Sequence, residues 1–485
     1  MKAMNVLENL SEILSVKGPK DINIASITYD SRKVEKGSLF VAIRGFKLDG
    51  HDFIEDAIKN GAVGVIGEKE MNLPDGVLYV RVKNSRKALS QASSIFFGKP
   101  AEKLKIVGVT GTNGKTTTTY LIKAILDEAG LPSGVIGTVG LCIKDKVLPS
   151  ERTTPESLDL NRIFVEMLDE GVEYVSMEVS SHSLKLHRVD DIRFEVGVFT
   201  NLTQDHLDFH ESFDDYYSSK KKLFYLSKRA AINIDDPNGR RMCGELDIPT
   251  LTYAIEGKAD LKAEDVRIDS NGVTFKLNFY GKQKNIVYKV PGKFSVYNSL
   301  AAISACLFLG IDLDTMAKAL EKVRGVPGRF EPVDEGQDFT VIVDYAHTPD
   351  GLENVLMTIK SFVKGKIITV FGAGGDRDRS KRPLMGRVVS EYSDYFIITS
   401  DNPRSEDPEA IINDIEKGLD KNSKYEKIVD RRAAIKRAIE MASRGDVVLI
   451  AGKGHENYQI IKDEVIPFDD REVAREFLKE KGRMR

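Results

Sequence analysis

The run Gly111-Thr112-Asn113-Gly114-Lys115-Thr116 brings two glycines, a lysine and a hydroxyl residue together within a few positions. Glycines let backbone N–H groups close round phosphate oxygens, a following helix N-terminus favours the anion, and a lysine adds a mobile positive charge. A hydroxyl directly after that lysine can ligate Mg²⁺. The strict phosphate-loop pattern GxxxxGK[ST] needs glycine at 109, where this chain has Val109; its glycines fall at 108, 111 and 114. The blander reading is a glycine-rich turn with no ligand. Context argues against it. KIVGVT before the loop is β-rich, and TTTTYLIKAILDEAG after it carries apolar residues at helical spacing. Strand, glycine loop and helix together open a nucleotide-binding α/β unit. A nucleotide site is indicated; its use is not.

Other residues suggest chemistry but are ambiguous one by one. Glu178 and His206 each follow a strand-like run, YVSMEV and VGVFTNL. The carboxyl ends of strands in an open parallel sheet form its binding crevice. His206 and His210 in HLDFH have a spacing seen in zinc sites, yet no HExxH context accompanies them, and Mg²⁺ is the better match. Lys220, Lys221 and Lys222 read most simply as a solvated basic face. Arg329 could grip phosphate oxygens in a planar fork. Arg404, after a proline, says nothing in isolation.

These residues need several domains to position them. The chain has 485 residues, which at roughly 100–200 residues per domain implies about three. It is 41% hydrophobic and 30% charged, ordinary for a globular enzyme, and its net charge of -3 offers no overall basic footprint for nucleic acid. Cys142, Cys243 and Cys306 are scattered, without the spacing of a disulfide framework or zinc site. The first residues lack a signal-peptide pattern, and no apolar run approaches the ~20 residues that span a bilayer, so a cytoplasmic protein without membrane insertion is expected. Residues 1–98 mix strand-like runs (INIASITYD, GSLFVAIRG, AVGVIGE, VLYVRV) with the helical HDFIEDAIKNG, and FFGKP marks a boundary. Residues 99–329 hold the phosphate loop, then an alternating stretch (VTFKLNFYG, KNIVYKV) that predicts antiparallel strands, then a helix over NSLAAISACLFLG. Residues 330–485, after RGVPGRFEP, contain FTVIVDYAHT, KIITVFGAGG, YFIITSDNPR and DVVLIAGKGHE, apolar runs ending in polar or glycine loops, the mark of a doubly wound sheet.

The motifs TGTNGKTTTT, TTPE, MEVSSHSL, TNLTQDHLDFH, GRFE, DYAHTPDGLENVL, GAGGDRDRSKRPLM, DNPR and GKGHENYQ stand in this order along the chain. In order and spacing the chain resembles the Mur ligase family, and within it the UDP-N-acetylmuramoyl-tripeptide synthetases, over essentially its whole length. The resemblance implies a three-domain α/β architecture with a central P-loop ATPase-like domain and a C-terminal Rossmann-like domain. It implies ATP and Mg²⁺ as cofactors, a monomer, and closure of domains round the nucleotide. The implied reaction adds meso-diaminopimelate to the D-glutamate of UDP-N-acetylmuramoyl-L-alanyl-D-glutamate through an acyl phosphate.

Carried over residue by residue, the resemblance gives Gly111 to Thr116 and Thr117 to the phosphates, and Asn298, Arg329 and Asp344 to the base, γ-phosphate and ribose. Thr116, Glu178, His206 and Lys220 become metal ligands, Lys220 as a carbamate. Ser31, Phe46, Lys47, Leu48, Thr153, Thr154, Ser180, Leu186 and Arg188 fall to the UDP-substrate, with Leu186 standing where relatives often have glutamine. Arg377, Asp401, Asn402, Pro403, Arg404, Gly452 and Glu456 fall to diaminopimelate. His347, in DYAH, is a candidate for orienting or deprotonating the amine. Alternatives are a lysine-adding ligase, a folylpolyglutamate synthetase-like ligase, a P-loop ATPase switch without amide product, and a sugar kinase.

Overall fold

The computed structural model describes residues 1–45, 48–144, 146–150, 152–203, 205, 209–269 and 271–483. Phe46, Lys47 and His206 lie outside the described residues. The chain separates into two compact units, one of residues 1–110, 130–198 and 218–230, the other of 111–129, 199–217 and 231–485. Among the described residues no helix is long and apolar enough to cross a membrane.

In the first unit, five strands lie in the order Ile13–Lys17, Leu78–Val82, Ala62–Gly67, Ser38–Val41, Ser26–Thr28. All neighbours run parallel except the edge strand Ile13–Lys17. That edge strand was not anticipated, because ILSVK is short and its exposure does not alternate regularly. Successive strand side chains point to opposite faces. Accordingly Leu39, Val41, Ile66 and Val80 pack under the helices Ala3–Leu7 and Ser85–Phe96, while Phe40, Val65 and Tyr79 pack with Ile54 and Ala57 of the helix Ile54–Lys59. The same unit contains Lys105–Thr110, Tyr174–Glu178 and Ser133–Gly137 as parallel neighbours, extended by the antiparallel Gly140–Ile143 and Lys146–Leu148.

In the second unit the alternating stretch forms Leu261–Asp269, Gly272–Phe279 and Lys282–Tyr288, antiparallel to one another as expected. The buried helix Lys293–Phe308 follows. A separate six-stranded sheet has the order Glu331–Pro332, Thr340–Asp344, Val447–Ala451, Ile367–Phe371, Tyr395–Ile398, Tyr425–Lys427. Only the first, two-residue strand is antiparallel. One face is closed by the helices Arg431–Met441 and Asp470–Arg483, whose Ala434, Ile435, Ala474 and Phe477 meet Val343, Val370 and Ile450. Because the long strands are parallel, the loops after Asp344, Phe371, Ile398 and Ala451 emerge at one edge. That edge is where ligands bind in open α/β sheets.

Candidate active site

The phosphate loop is built as its sequence demands. The strand Lys105–Thr110 ends at Gly111, and the helix Lys115–Glu128 starts with Gly114 in the left-handed region at φ +85. A Cβ on Gly114 would also stand 2.4 Å from Asn298 Oδ1, so both conformation and space require glycine. Segment 200–203 braces the loop. Asn201 O accepts from Thr112 N at 2.9 Å, Asn201 Oδ1 from Asn113 N at 2.9 Å, and Thr200 Oγ1 donates to Asn113 O at 2.6 Å. Lys115 Nζ folds back on the carbonyls of Gly111 and Thr112, both at 2.9 Å. Asn113 Nδ2 donates to Asp350. Thr117 is half-buried on the helix.

Arg329 joins this cluster from more than two hundred residues away. Its Nη2 donates to Thr116 Oγ1 at 2.9 Å, and its guanidinium lies 4.4 Å from the centre of the Tyr345 ring. Arg329 Nε is buried and makes no hydrogen bond, a polar atom suited to an incoming phosphate oxygen. Asp344, at the end of its strand, accepts from Phe330 N at 2.6 Å and Ala346 N at 2.7 Å. Burial raises the Asp344 carboxyl above its usual range, against the pull of Arg329. Thus Gly114, Thr116, Asn298, Arg329 and Asp344, scattered in sequence, form one neighbourhood. His347 lies just beyond: Nδ1 donates to Tyr345 O at 2.8 Å, and burial, then the charge of Lys381, pushes it down to about 4. It is neutral at pH 7, with Nε2 as its acceptor.

The loops at the sheet edge gather the DNPR residues. Arg404 adopts φ +53 and donates through Nη1 to Gly375 O at 2.8 Å; burial and the neighbouring Arg377 hold its pKa below the arginine norm. Arg377 itself is exposed. Asn402 Nδ2 donates to Glu456 Oε2 at 2.9 Å. Lys453, fully buried, donates to that same carboxylate oxygen at 2.9 Å and to Asn402 Oδ1 at 3.1 Å. Gly452 has φ +120, and a Cβ there would come within 2.5 Å of Asp401 Oδ2. Beneath the loops, buried Arg382 binds Glu406 through two bonds of 2.8 and 3.0 Å, while Glu406 accepts from Asp376 N at 2.6 Å. This ties the loop carrying Arg377 to the loop carrying Arg404, with Pro403 between. Lys453 and Arg382 were not singled out from sequence, although both lie inside quoted motifs.

The first unit collects a different set. Glu178, buried at its strand end, accepts from Thr138 N at 2.7 Å and Thr138 Oγ1 at 3.1 Å. Thr138 Oγ1 in turn lies 3.0 Å from Thr153 Oγ1, whose hydroxyl can donate to it. Thr154 donates to Glu178 O at 2.8 Å, and Ser180 caps its helix by accepting from Ser183 N at 3.1 Å. Arg188 Nη1 reaches Thr154 O at 3.0 Å. Leu186 is a half-buried helix-end residue. Ser31 opens a short turn capped by Asp30, and Leu48 is exposed.

Lys220 is buried in the helix Phe213–Tyr225, whereas Lys221 is half-buried and Lys222 exposed. The solvated-face reading therefore holds for Lys222 and fails for Lys220. Among the described residues no three His, Cys, Asp or Glu side chains cluster as a metal site. His210 is instead paired with Asp215 Oδ2 at 3.1 Å and packed on Tyr216.

Comparison with known proteins identifies the family. Residues 23–97 match the model described as Mur ligase family, catalytic domain; residues 109–306 match the Mur ligase middle domain; residues 328–454 match the Mur ligase, glutamate ligase domain. A UDP-N-acetylmuramoyl-L-alanyl-D-glutamate–2,6-diaminopimelate ligase of Clostridium tetani is 51% identical, covering 99% of this chain and 100% of the relative. The protein of that name from Caldanaerobacter subterraneus subsp. tengcongensis is 50% identical, with 99% of each covered. A solved structure of a ligase with the same name is 35% identical, with a TM-score of 0.67 and 95% of each chain covered. The fold is shared more distantly with MurF ligase from Thermotoga maritima, at 21% identity and a TM-score of 0.64 over 94% of this chain and 96% of that one. With relatives of this identity matched from end to end, the chain belongs to the Mur ligase family and has its three-domain α/β architecture.

Proposed function

We propose that this enzyme uses ATP to join meso-diaminopimelate to the D-glutamate of UDP-N-acetylmuramoyl-L-alanyl-D-glutamate in peptidoglycan synthesis. The relatives named for that reaction support the reading, and one observation carries it. Arg404, Asn402, Gly452 and Glu456 come together at the carboxyl edge of one sheet, in the same unit as the phosphate loop and Arg329. Diaminopimelate has a second amino-acid head. A guanidinium suits its distal carboxylate, and Glu456 with the Asn402 amide suits its ammonium.

A carboxylate has no usable leaving group. Its oxygen attacks the γ-phosphorus of ATP, the bond to the β-phosphate oxygen breaks, and ADP leaves an acyl phosphate. The amine of diaminopimelate then attacks the acyl carbon, loses a proton, and expels phosphate. The protein's task is to position the reactants and to stabilise gathering negative charge. In this reading Gly111 to Thr117 and Lys115 hold the phosphates, Arg329 grips the γ-phosphate, and Asn298 and Asp344 hold base and ribose. Neutral His347 orients or deprotonates the amine. Thr116, Glu178, His206 and Lys220 as its carbamate would supply the oxygen and nitrogen donors for Mg²⁺. The buried Glu178 carboxylate, held by Thr138, fits that role, whereas Thr116 Oγ1 accepts from Arg329 and would exchange that partner for the metal. Bound there, Mg²⁺ would shield the phosphates from the attacking carboxylate. Ser31, Phe46, Lys47, Leu48, Thr153, Thr154, Ser180, Leu186 and Arg188 hold the UDP-substrate. Domains spanning 1–98, 99–329 and 330–485 divide these tasks, and the active species is a cytoplasmic monomer.

The test is phosphate release from ATP with UDP-N-acetylmuramoyl-L-alanyl-D-glutamate and a panel of amino acids. Release only with meso-diaminopimelate, matched by tripeptide product, is expected. Equal or better use of L-lysine, or release independent of any amino acid, would overturn the assignment.

A further inference from the structure

Glu156 has three guanidiniums on a single oxygen. Its buried Oε1 lies 2.9 Å from Arg152 Nη1, 2.9 Å from Arg188 Nε and 3.4 Å from Arg86 Nη1. The arginines come from separate places: the first turn of the helix Ser85–Phe96, the segment before TTPE, and the stretch after the helix Ser181–Lys185. Arg86 Nη2 also donates to Arg44 O at 3.1 Å, and Arg188 Nη1 to Thr154 O at 3.0 Å. The nearest further carboxylate along the helix, Asp159, is engaged by Tyr29 at 2.7 Å and Arg162 at 3.7 Å.

One carboxylate oxygen cannot satisfy three cations. Arg188 Nε is buried and, although close to Glu156, has no aligned acceptor. Burial, with the charges of Arg152 and Arg86 adding to it, holds the Arg188 pKa below the arginine norm despite Glu156. Desolvating charge is costly, so buried cations in excess of their carboxylate favour an added anion. Among the described residues the surplus here is positive, and Arg188 and Arg86 keep most of their side chains from solvent.

We propose that Arg86 and Arg152, aligned with Arg188 by Glu156, form an oxyanion-binding position for the UDP-sugar peptide, taking either its pyrophosphate or a peptide carboxylate. This rests on the functional reading above. Glu156 is the positioning residue, and Arg86 and Arg152 are binding residues additional to Arg188. Two guanidiniums can each offer a pair of N–H donors to a planar or tetrahedral oxyanion.

Isothermal titration of wild type, Arg86→Gln and Arg152→Gln with UDP-N-acetylmuramoyl-L-alanyl-D-glutamate tests it. Each variant should bind at least tenfold more weakly, with Kd for ATP within twofold of wild type and Tm little changed. Arg152 is about half-exposed, so its variant should fold normally. UDP-N-acetylglucosamine, which has the pyrophosphate but no peptide carboxylate, separates the sources: a parallel loss assigns the pyrophosphate, and a loss confined to the peptide-bearing ligand assigns the carboxylate. Wild-type affinity in both variants would overturn the proposal, as would losses equalled for ATP. A wild-type enzyme that binds no UDP-substrate would instead remove the functional reading itself, and this inference with it.

Discussion

Around Glu156 three guanidiniums converge on one carboxylate, whereas around Asn402 one ammonium, one carboxylate and one amide satisfy one another. Among the described residues the first cluster holds more cations than anions; in the second, Lys453 and Glu456 offset each other. The difference fits two recognition problems. A nucleotide-sugar peptide carries several anionic groups, and surplus positive charge attracts any of them. A small diamino acid differs from its competitors only at its far end, and discriminating there depends on angles, which a hydrogen-bonded network helps to fix.

The largest effect we expect is one that spares both clusters. Lys115→Ala should lower kcat/KM by on the order of 10³, the scale for removing a donor aimed at transition-state charge. Binding of the UDP-substrate should be retained in titration. Turnover within a few-fold of wild type would remove the phosphate-loop assignment.

Lys220→Ala should cost roughly a hundredfold or more, as expected when a ligand to a charge-stabilising metal is lost. Short carboxylic acids should partly restore activity by filling the ligand's place, which a packing defect would not allow. Lys222→Ala should be near wild type. Equal mild losses at Lys220 and Lys222 would remove the carbamate assignment and leave Lys220 a packing residue.

The neutral cluster is probed through its neighbour. Arg404→Ala should lower kcat/KM for meso-diaminopimelate by roughly ten- to several-hundred-fold, from about 1.5–3 kcal/mol for a hydrogen bond to a charged group. L-Lysine, which lacks the distal carboxylate, should be affected far less. Equal losses for both amino acids would mean that Arg404 only supports its loop.

The smallest effect sharpens the contrast most. Lys453→Met should raise KM for diaminopimelate by about tenfold, equivalent to ~1.4 kcal/mol, with KM for the UDP-substrate unchanged. Glu456→Gln should lose less in the Lys453→Met background than in wild type, because the two groups act through one another. Additive losses, or a rise in both KM values, would show that Lys453 stabilises the sheet edge and does not position Glu456.

Much of this protein was legible before any fold was known. The phosphate loop follows from local rules: a β-rich run, glycines at set spacing, a lysine and a helical period, all within residues 105–128. The apolar runs ending in VDYAH, FGAGG, TSDNPR and AGKGHE announced parallel strands with functional loops, because a strand buried on both faces is written as one continuous apolar stretch. The short edge strand Ile13–Lys17 was not legible, since pairing with Leu78–Val82 rather than its own pattern makes it a strand.

Tertiary structure alone decided which charges meet. Three adjacent lysines look alike in YYSSKKKLF, and only the face that the helix Phe213–Tyr225 turns inward makes Lys220 buried and Lys222 exposed. Arg86 lies 70 residues from Glu156, Asp350 lies 237 from Asn113, and Arg329 lies 213 from Thr116. Spacing encodes contacts within an element, because helix and strand periods are fixed. Charge balance depends on segments brought within about 3 Å by packing of the whole core, where the distance dependence and low dielectric of the interior make such pairings matter. Motifs therefore named the chemistry, and folding determined which cations are balanced and which are left to bind a ligand.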